Sequence, residues 1–242
     1  FPHHENEIAQ SEGANGKPLA KYWLHNGMVT VEKEKMSKSL GNFLTINAAL
    51  EKVSTPEVLR QVLLSSHYRM ALDFSEKKMS DAERGLERIY ETLNRADAQL
   101  QRSGINANVQ ESALVKDFCE AMDNDCNTPR ALGVIFDGIR EMNRLLDSGK
   151  MRAVAQLLRD IRRVGGVIGL LEDGPRQFLD KKRESGLALG TLSAEIIEKL
   201  IAERLSAREN KNFSRADEIR DQLARENIQL KDGPTGTTWS VK

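Results

Sequence analysis

Between Ser80 and Ile168 the sequence repeats apolar residues at helical spacing, and this pattern restricts the possible folds more than any other feature. In the first part of the stretch the intervals alternate between four and three residues, which places the apolar side chains on one face of an α-helix. These residues are Ala82, Leu86, Ile89, Leu93, Ala96 and Leu100. Ser80 and Glu83 fit a capping box, so we expect this helix to begin at Ser80.

Further helices are predicted downstream of the first. A loop at 103–108 precedes a second helix at about 112–123. A third helix begins at Thr128, where Pro129 suits the first turn, and a fourth begins at Met151. The last two helices carry apolar residues at the same spacing, namely Leu132, Ile135, Phe136, Ile139, Leu146, Val154, Leu158, Ile161 and Ile168. Antiparallel helices joined by short loops predict a four-helix bundle.

The composition supports buried cores and excludes several classes of protein. Of 242 residues, 39% are hydrophobic and 30% are charged, and the basic and acidic residues balance to a formal net charge of zero. Without a basic excess, a non-specific polyanion binder is disfavoured. No apolar run approaches the roughly 20 residues of a membrane-spanning helix, so no membrane partner is expected. Cys119 and Cys126 are too few for a disulfide framework and suit a reducing cytoplasm, which is the predicted location.

The N-terminal part of the sequence predicts a different organisation. Residues 1–24 resemble the end of a larger unit, and Phe1 stands where a complete chain would have methionine, so we expect sequence upstream of it. Residues 27–31 predict a short strand. Residues 44–68 carry helical periodicity, with a helix start at 55–57, where threonine precedes proline and glutamate.

The C-terminal part predicts a second small unit. Residues 172–192 contain glycines and a basic run, and we expect a linker with one short helix. Helices are predicted at 193–210 and 214–226, each capped by its first residue, a serine, and the second with Asp217 at the capping-box position. Residues 228–241 predict a β-hairpin. The predicted fold class is mainly α with minor β.

The segment Lys35-Met-Ser-Lys-Ser39, here called the lysine loop, follows the predicted strand directly. Chemistry at the α-phosphate of a nucleotide builds negative charge on the phosphoryl oxygens, and preorganised cations lower that barrier. Lys35 and Lys38 offer two ammonium groups, and the serines and Gly41 allow a mobile backbone. The loop is therefore a candidate triphosphate site, although lysine and serine together also suit a plain solvated loop.

His3 and Glu7 are a second candidate site. They are four residues apart, so a helix would place both on one face, where an imidazole and a carboxylate could share a zinc ion. Such a site needs two more ligands. The alternative interpretation is a polar helix start with its acids near the N-terminal dipole.

Two longer runs of sequence carry a family resemblance. The lysine loop is identical to the second signature of class I aminoacyl-tRNA synthetases, and the run Glu34-Lys-Met-Ser-Lys-Ser-Leu-Gly-Asn-Phe43 extends the match. The run Phe1-Pro-His-His-Glu-Asn-Glu-Ile-Ala-Gln-Ser-Glu12 resembles the cysteinyl-tRNA synthetases. The resemblance spans the whole chain and implies roughly the C-terminal half of such an enzyme.

For catalysis, the resemblance implies ATP, used with magnesium, and one zinc ion. Lys38 would contact ATP and Lys35 would assist, with Ser37 and Ser39 in the same ATP-binding loop. His3 and Glu7 would be two of the ligands of a zinc ion that binds the thiolate of the substrate. The family's two cysteine ligands and its His-x-Gly-His signature lie in a part that this chain does not contain, and neither Cys119 nor Cys126 occupies a matching position.

For tRNA binding, the resemblance implies contacts to anticodon bases from Arg208, Phe213, Asp217 and Asp232. The family often has tryptophan at the aromatic position, so Phe213 departs from it and keeps only the stacking face. Other interpretations stay open: Asp217 as a capping acid, Phe213 as a hydrophobic staple, Asp232 as a turn residue and Arg208 as a solvated side chain. Trp239 is expected to pack the hairpin.

The resemblance also implies the order of the domains and the reaction. The implied domains are the end of a Rossmann-type catalytic domain (1–24), the lysine loop and a stem-contact segment (25–78), the helical bundle (79–171), a linker (172–192) and an anticodon-binding domain (193–242). The implied activity is a cysteine–tRNA ligase that joins cysteine to its tRNA with ATP. We expect a monomer, inactive without the missing half. The alternatives are a related ligase that joins cysteine to a small amine, and a non-catalytic helical RNA-binding module.

Overall fold

Helices dominate the computed structural model, which describes residues 2–37, 39, 41–105, 112–188, 193–210, 212–226, 228–233 and 236–241. The helices are α1 (Pro2–Asn15), α2 (Ile46–Leu50), α3 (Pro56–Leu64), α4 (Glu76–Ser103), α5 (Ala113–Asp123), α6 (Thr128–Asp147), α7 (Met151–Val167), α8 (Pro175–Ala188), α9 (Ala194–Glu209) and α10 (Phe213–Arg225). The strands are β1 (Val29–Val31), β2 (Glu34–Lys35), β3 (Leu72–Phe74), β4 (Ile228–Gly233) and β5 (Gly236–Val241). The predicted class, mainly α with minor β, is confirmed.

Helices α4 to α7 form the bundle that the apolar spacing predicts. The predicted face of α4 is buried at Ala82, Leu86, Ile89, Leu93 and Ala96, and it contributes to one continuous core with α5, α6 and α7. Each fully buried leucine or isoleucine contributes about 1.5–3 kcal/mol relative to an exposed one, so the shared face accounts for the association of these helices.

Two helix starts differ from the prediction. Helix α4 begins at Glu76, one turn before the predicted Ser80, because the hydroxyl of Ser75 accepts a hydrogen bond from the Lys78 N–H and caps the helix there. Helix α10 is capped by Asn212, whose side chain accepts from Arg215, so Ser214 lies in the first turn and Asp217 is not a capping-box residue. The predicted cap of α9 at Ser193 is confirmed, since its hydroxyl accepts from Ile196.

The stretch predicted as a linker with one short helix contains the 14-residue helix α8. Phe178 of α8 is fully buried in the bundle core and stacks on Tyr90 of α4, with ring centroids 3.9 Å apart and planes 16° from parallel. The glycines and the basic run of this stretch favour a linker, but the buried Phe178 ring binds α8 to the bundle.

A small sheet precedes the bundle. The strand predicted at 27–31 is β1, which pairs antiparallel with β2 and parallel with β3. Asp125, in the turn between α5 and α6, accepts hydrogen bonds from the Tyr68 hydroxyl and the Arg69 guanidinium, both at 2.6 Å. These contacts join the segment that leads into β3 to the bundle.

The C-terminal unit, defined as α9, α10 and the antiparallel hairpin β4–β5, has its own core. Its buried side chains are Ile197, Ile201, Ile219, Leu223, Ile228 and Trp239. Trp239 packs the hairpin as expected, and the Arg183 guanidinium of α8 lies over its ring at 4.8 Å from the centroid. Among the residues described, no helix has the length and apolar character needed to span a membrane.

Candidate functional site

The lysine loop begins at the end of the short β-hairpin β1–β2. A residue of the neighbouring strand β3 binds the turn of that hairpin. Glu32 and Lys33, at the turn between β1 and β2, both have positive φ, as tight hairpin turns require. The carboxylate of Asp73 in β3 accepts from the Lys33 N–H at 2.6 Å and from the Thr30 hydroxyl at 3.0 Å. The Lys33 N–H is the main cause of the lowered pKa of Asp73. The base of the loop is therefore fixed by an ionised side chain.

The loop itself is closed by an asparagine that sequence reasoning did not single out. Asn42 accepts a hydrogen bond from the Ser37 N–H at 2.9 Å and donates to the Lys35 carbonyl at 3.1 Å. The Ser37 and Ser39 hydroxyls lie 3.2 Å apart, and the Lys35 side chain is exposed. Lys38, predicted to contact ATP, lies outside the described residues.

His3 and Glu7 share one face of α1, as predicted. The His3 Nε2 and Glu7 Oε1 atoms are 3.9 Å apart, and both side chains are exposed. The pair offers one nitrogen and one oxygen donor, which fits half of a four-ligand zinc site. Within the described ranges no cluster of three or more histidine, cysteine, aspartate or glutamate side chains could hold a metal.

A pair of histidines lies beside this face. The His4 Nδ1 and His25 Nε2 atoms are 2.8 Å apart, and the rings are 4.5 Å apart at their centroids. The contact spans 21 residues of sequence, so no local spacing predicts it.

Asp232 lies at the centre of the polar contacts of the C-terminal unit. Its carboxylate accepts hydrogen bonds from Arg204 at 2.9 and 2.8 Å, from Arg208 at 3.0 Å and from the Thr237 hydroxyl at 2.7 Å. The bonds from Arg204 are the main cause of the strongly lowered pKa of Asp232. A carboxylate has about four acceptor positions, so all of those on Asp232 are used within the protein.

The other predicted anticodon residues remain exposed. Phe213, the first residue of α10, is 61% exposed, so the hydrophobic-staple interpretation does not hold. Asp217 is exposed and pairs with Arg220 at 3.3 Å. Arg208 is about half exposed and contacts Asp232. The structure thus brings Arg208 and Asp232 together, whereas Asp217 acts on the same network only through the electrostatic field it exerts on Arg204.

An open cleft of about 1120 Å³ separates the bundle from the hairpin, and Asp232 and Trp239 lie on its C-terminal side. The opposite side, formed by α4, α6 and α8, carries the basic residues Arg88, Arg95, Arg140, Lys182 and Arg183. Several of these pair with neighbouring acids, such as Arg95 with Asp147 and Lys182 with Glu87. The cleft therefore offers cations to an anionic ligand, which would compete with these acids.

Comparison with known proteins gives three matching family models. The model described as the class I (C) tRNA synthetase catalytic domain matches residues 1–84, the DALR domain matches 117–172, and the cysteinyl-tRNA ligase anticodon binding domain matches 192–239. The chain is similar to the cysteine–tRNA ligases of Geobacter metallireducens (51% identity), Geobacter sulfurreducens (49%) and Trichlorobacter lovleyi (47%). These alignments cover 100% of the chain and 52%, 52% and 53% of the respective relatives. The chain thus spans about half the length of the curated relatives it matches.

Proposed function

We propose that this chain, which belongs to the cysteinyl-tRNA synthetase family, supplies the lysine loop and the tRNA-binding surface of a cysteine–tRNA ligase. In the proposed reaction the cysteine carboxylate attacks the α-phosphate of ATP and pyrophosphate leaves. A hydroxyl of the terminal ribose of the tRNA for cysteine then takes the acyl group from the adenylate, and AMP leaves. The observation that carries the proposal is the lysine loop, held at its base by Asp73 and closed by Asn42 with Lys35 exposed.

Lys35 and Lys38 would meet the negative charge that develops on the phosphates. An ammonium group placed beforehand stabilises that charge without reorganising during the reaction. Lys35 suits this role because its side chain is exposed while its carbonyl is bound by Asn42. Ser37 and Ser39 belong to the same proposed site for magnesium–ATP, and the assignment of Lys38 follows from the family resemblance.

His3 and Glu7 are the proposed protein ligands for half of a zinc site. Zinc, when bound, would hold the substrate thiolate, for which the hydroxyl of serine is a poor substitute. Both side chains are exposed and on one helix face, so each can turn a lone pair toward a shared ion. The remaining two ligands would come from the half of the enzyme that this chain does not match.

The C-terminal unit is the proposed reader of the anticodon. Phe213 presents an exposed ring on which a base can stack, and Asp217 presents an exposed carboxylate that can accept from a base amino group. Arg208 can donate from N–H groups other than the one that binds Asp232. We assign Asp232 to the same site as the residue that orients Arg208, since its own acceptor positions are filled.

The remaining assignments follow from the same proposal. The proposed domains are those given by the resemblance, with the bundle at 79–171 and the anticodon-binding domain at 193–242. A monomer in the cytoplasm is proposed, and the free thiols of Cys119 and Cys126 fit a reducing compartment.

ATP–pyrophosphate exchange tests the proposal directly. The chain alone should show no cysteine-dependent exchange, because it supplies only two zinc ligands. Joined to the part of the Geobacter metallireducens relative that it does not match, it should give exchange that falls in the Lys35→Ala variant. A folded joined protein without exchange would contradict the proposal, and so would exchange by the chain alone.

Binding of the tRNA for cysteine separates this function from the two alternatives. A ligase that acts on a small amine would not need the tRNA, and a general RNA-binding module would bind unrelated tRNAs equally well. We expect the chain to prefer the tRNA for cysteine and to lose that preference in Arg208→Ala. Equal affinity for all tRNAs would leave anticodon reading unsupported.

A further inference from the structure

The side chain of Asn42 binds the lysine loop at two backbone positions. Its oxygen accepts from the Ser37 N–H at 2.9 Å, and its amide nitrogen donates to the Lys35 carbonyl at 3.1 Å. We propose that Asn42 is a positioning residue that holds the lysine loop in the conformation competent for ATP, an inference that rests on the proposed function.

The local backbone explains why this side chain can reach both groups. Gly41 has a φ of +67°, in the left-handed region, so the chain turns back just before Asn42 and brings the amide beside the loop. An asparagine amide carries an acceptor and a donor on one planar group. Aspartate would offer only acceptors, and alanine neither, so few residues can satisfy Ser37 and Lys35 together.

Asn42 complements the contact at the base of the loop. Asp73 binds the Lys33 N–H, and Asn42 binds the Lys35 carbonyl two residues later. The backbone that carries the Lys35 side chain is thus held on both sides, while the side chain stays exposed. A cation stabilises a developing charge best when the backbone that carries it is fixed, because misplacement by about 1 Å can lower the rate roughly a hundredfold.

Amide hydrogen exchange in the chain itself tests the contact without any catalytic assay. In Asn42→Ala the Ser37 N–H loses the bond to Asn42, and its exchange should accelerate by about three- to tenfold, the effect of one ordinary hydrogen bond. The matched control is Asn47→Ala, because Asn47 is exposed in the neighbouring helix α2. Equal Ser37 exchange in the two variants would overturn the proposal.

The conservative variant tests the need for both bonds. Asn42→Asp keeps an oxygen for the Ser37 N–H and replaces the donor to Lys35 by a second acceptor. We expect the Ser37 amide to stay protected while the Lys35 end is released. In the joined enzyme described above, both variants should lower kcat for pyrophosphate exchange and leave the KM for cysteine unchanged.

These measurements separate failure of this inference from failure of the proposed function. If the joined enzyme shows no exchange with wild-type sequence, the function is wrong, and Ser37 amide exchange still tests the loop contact. If the enzyme is active and Asn42→Ala or Asn42→Asp matches wild-type kcat, the positioning role is overturned. A rise in the KM for cysteine with unchanged kcat would also overturn it, because that pattern indicates a binding role.

Discussion

Arg204 and Asp232 form a bidentate ion pair that joins α9 to the end of β4. The Arg204 Nη1 and Nη2 atoms lie 2.9 and 2.8 Å from the two carboxylate oxygens. The Arg204 side chain is 8% exposed, whereas that of Asp232 is 46% exposed. Parallel bonds of this kind fix direction as well as distance, so the hairpin and α9 are held in one orientation.

The variant Asp232→Asn should destabilise the C-terminal unit. The neutral amide cannot accept both bonds from Arg204, and a buried guanidinium would be left poorly satisfied, at a cost of about 1–3 kcal/mol. Urea unfolding followed by tryptophan fluorescence in a Trp23→Phe background measures the change, because the remaining ring, Trp239, is buried in the same unit. Asp217→Asn is the control, since its exposed pair with Arg220 should be worth less than about 1 kcal/mol. Equal losses in the two variants would contradict the prediction.

The same ion pair predicts a pH dependence. Arg204 lowers the pKa of Asp232 in the folded state, below the value of about 3.9 for an unfolded aspartate. The stabilisation is therefore fully present above about pH 4 and is lost as the pH falls through the folded pKa. The difference in unfolding free energy between wild type and Asp232→Asn should shrink as the pH falls below about 4. A difference that stays constant over this range would show that ionisation of Asp232 is not involved.

Asp160→Ala should destabilise the bundle. The Asp160 side chain is fully buried and accepts from the Ser112 N–H at 2.8 Å, just before the first residue of α5. Without that carboxylate the half-buried Ser112 N–H loses this bond and Arg159 loses its ion pair, at a cost of about 1–3 kcal/mol. Chemical unfolding followed by far-UV circular dichroism measures the loss. Asp137→Ala is the control, because its pair with Arg140 is exposed, and a similar loss there would count against the explanation.

Phe213→Ala should weaken binding of the tRNA for cysteine without loss of stability. Stacking on an aromatic side chain is worth about 1–3 kcal/mol per base, so Kd should rise by roughly 5- to 150-fold. Thermal unfolding should not change, since the ring is 61% exposed. Phe213→Trp should keep the affinity, because indole retains a stacking face. Ile196→Ala, another exposed apolar residue of the C-terminal unit, is the control, and an equal loss there would rule out stacking.

The sequence predicted those parts of the fold that depend on local pattern. The buried face of α4 follows from the spacing of residues such as Leu86 and Leu93, which any helix must place together. The start of α4 was misplaced because Ser75 and Ser80 are both suitable caps, and the sequence alone does not decide between them. The hairpin was predicted correctly because its turn residues are adjacent in sequence.

The polar contacts of the candidate site could not be predicted in the same way. Asn42 acts on the lysine loop only because the backbone turns at Gly41, and the family resemblance directs attention to the lysines instead. The bond between Asp125 and Tyr68 spans 57 residues, and the bonds of Arg204 to Asp232 span 28. Such pairs depend on how whole elements pack, and many arginines and aspartates in the sequence would have been equally plausible partners.

Helix α8 couples two bodies through a single rigid element. Phe178 fixes its first half to the bundle, and Arg183, five residues later, covers Trp239 of the C-terminal unit. One inserted residue between them would rotate Arg183 by about 100° around the helix axis and advance it by about 1.5 Å. Substitution of solvent-facing side chains would not change the angle around the helix axis between Phe178 and Arg183. Tolerance to insertion and deletion, rather than to substitution, is therefore the property that α8 lacks.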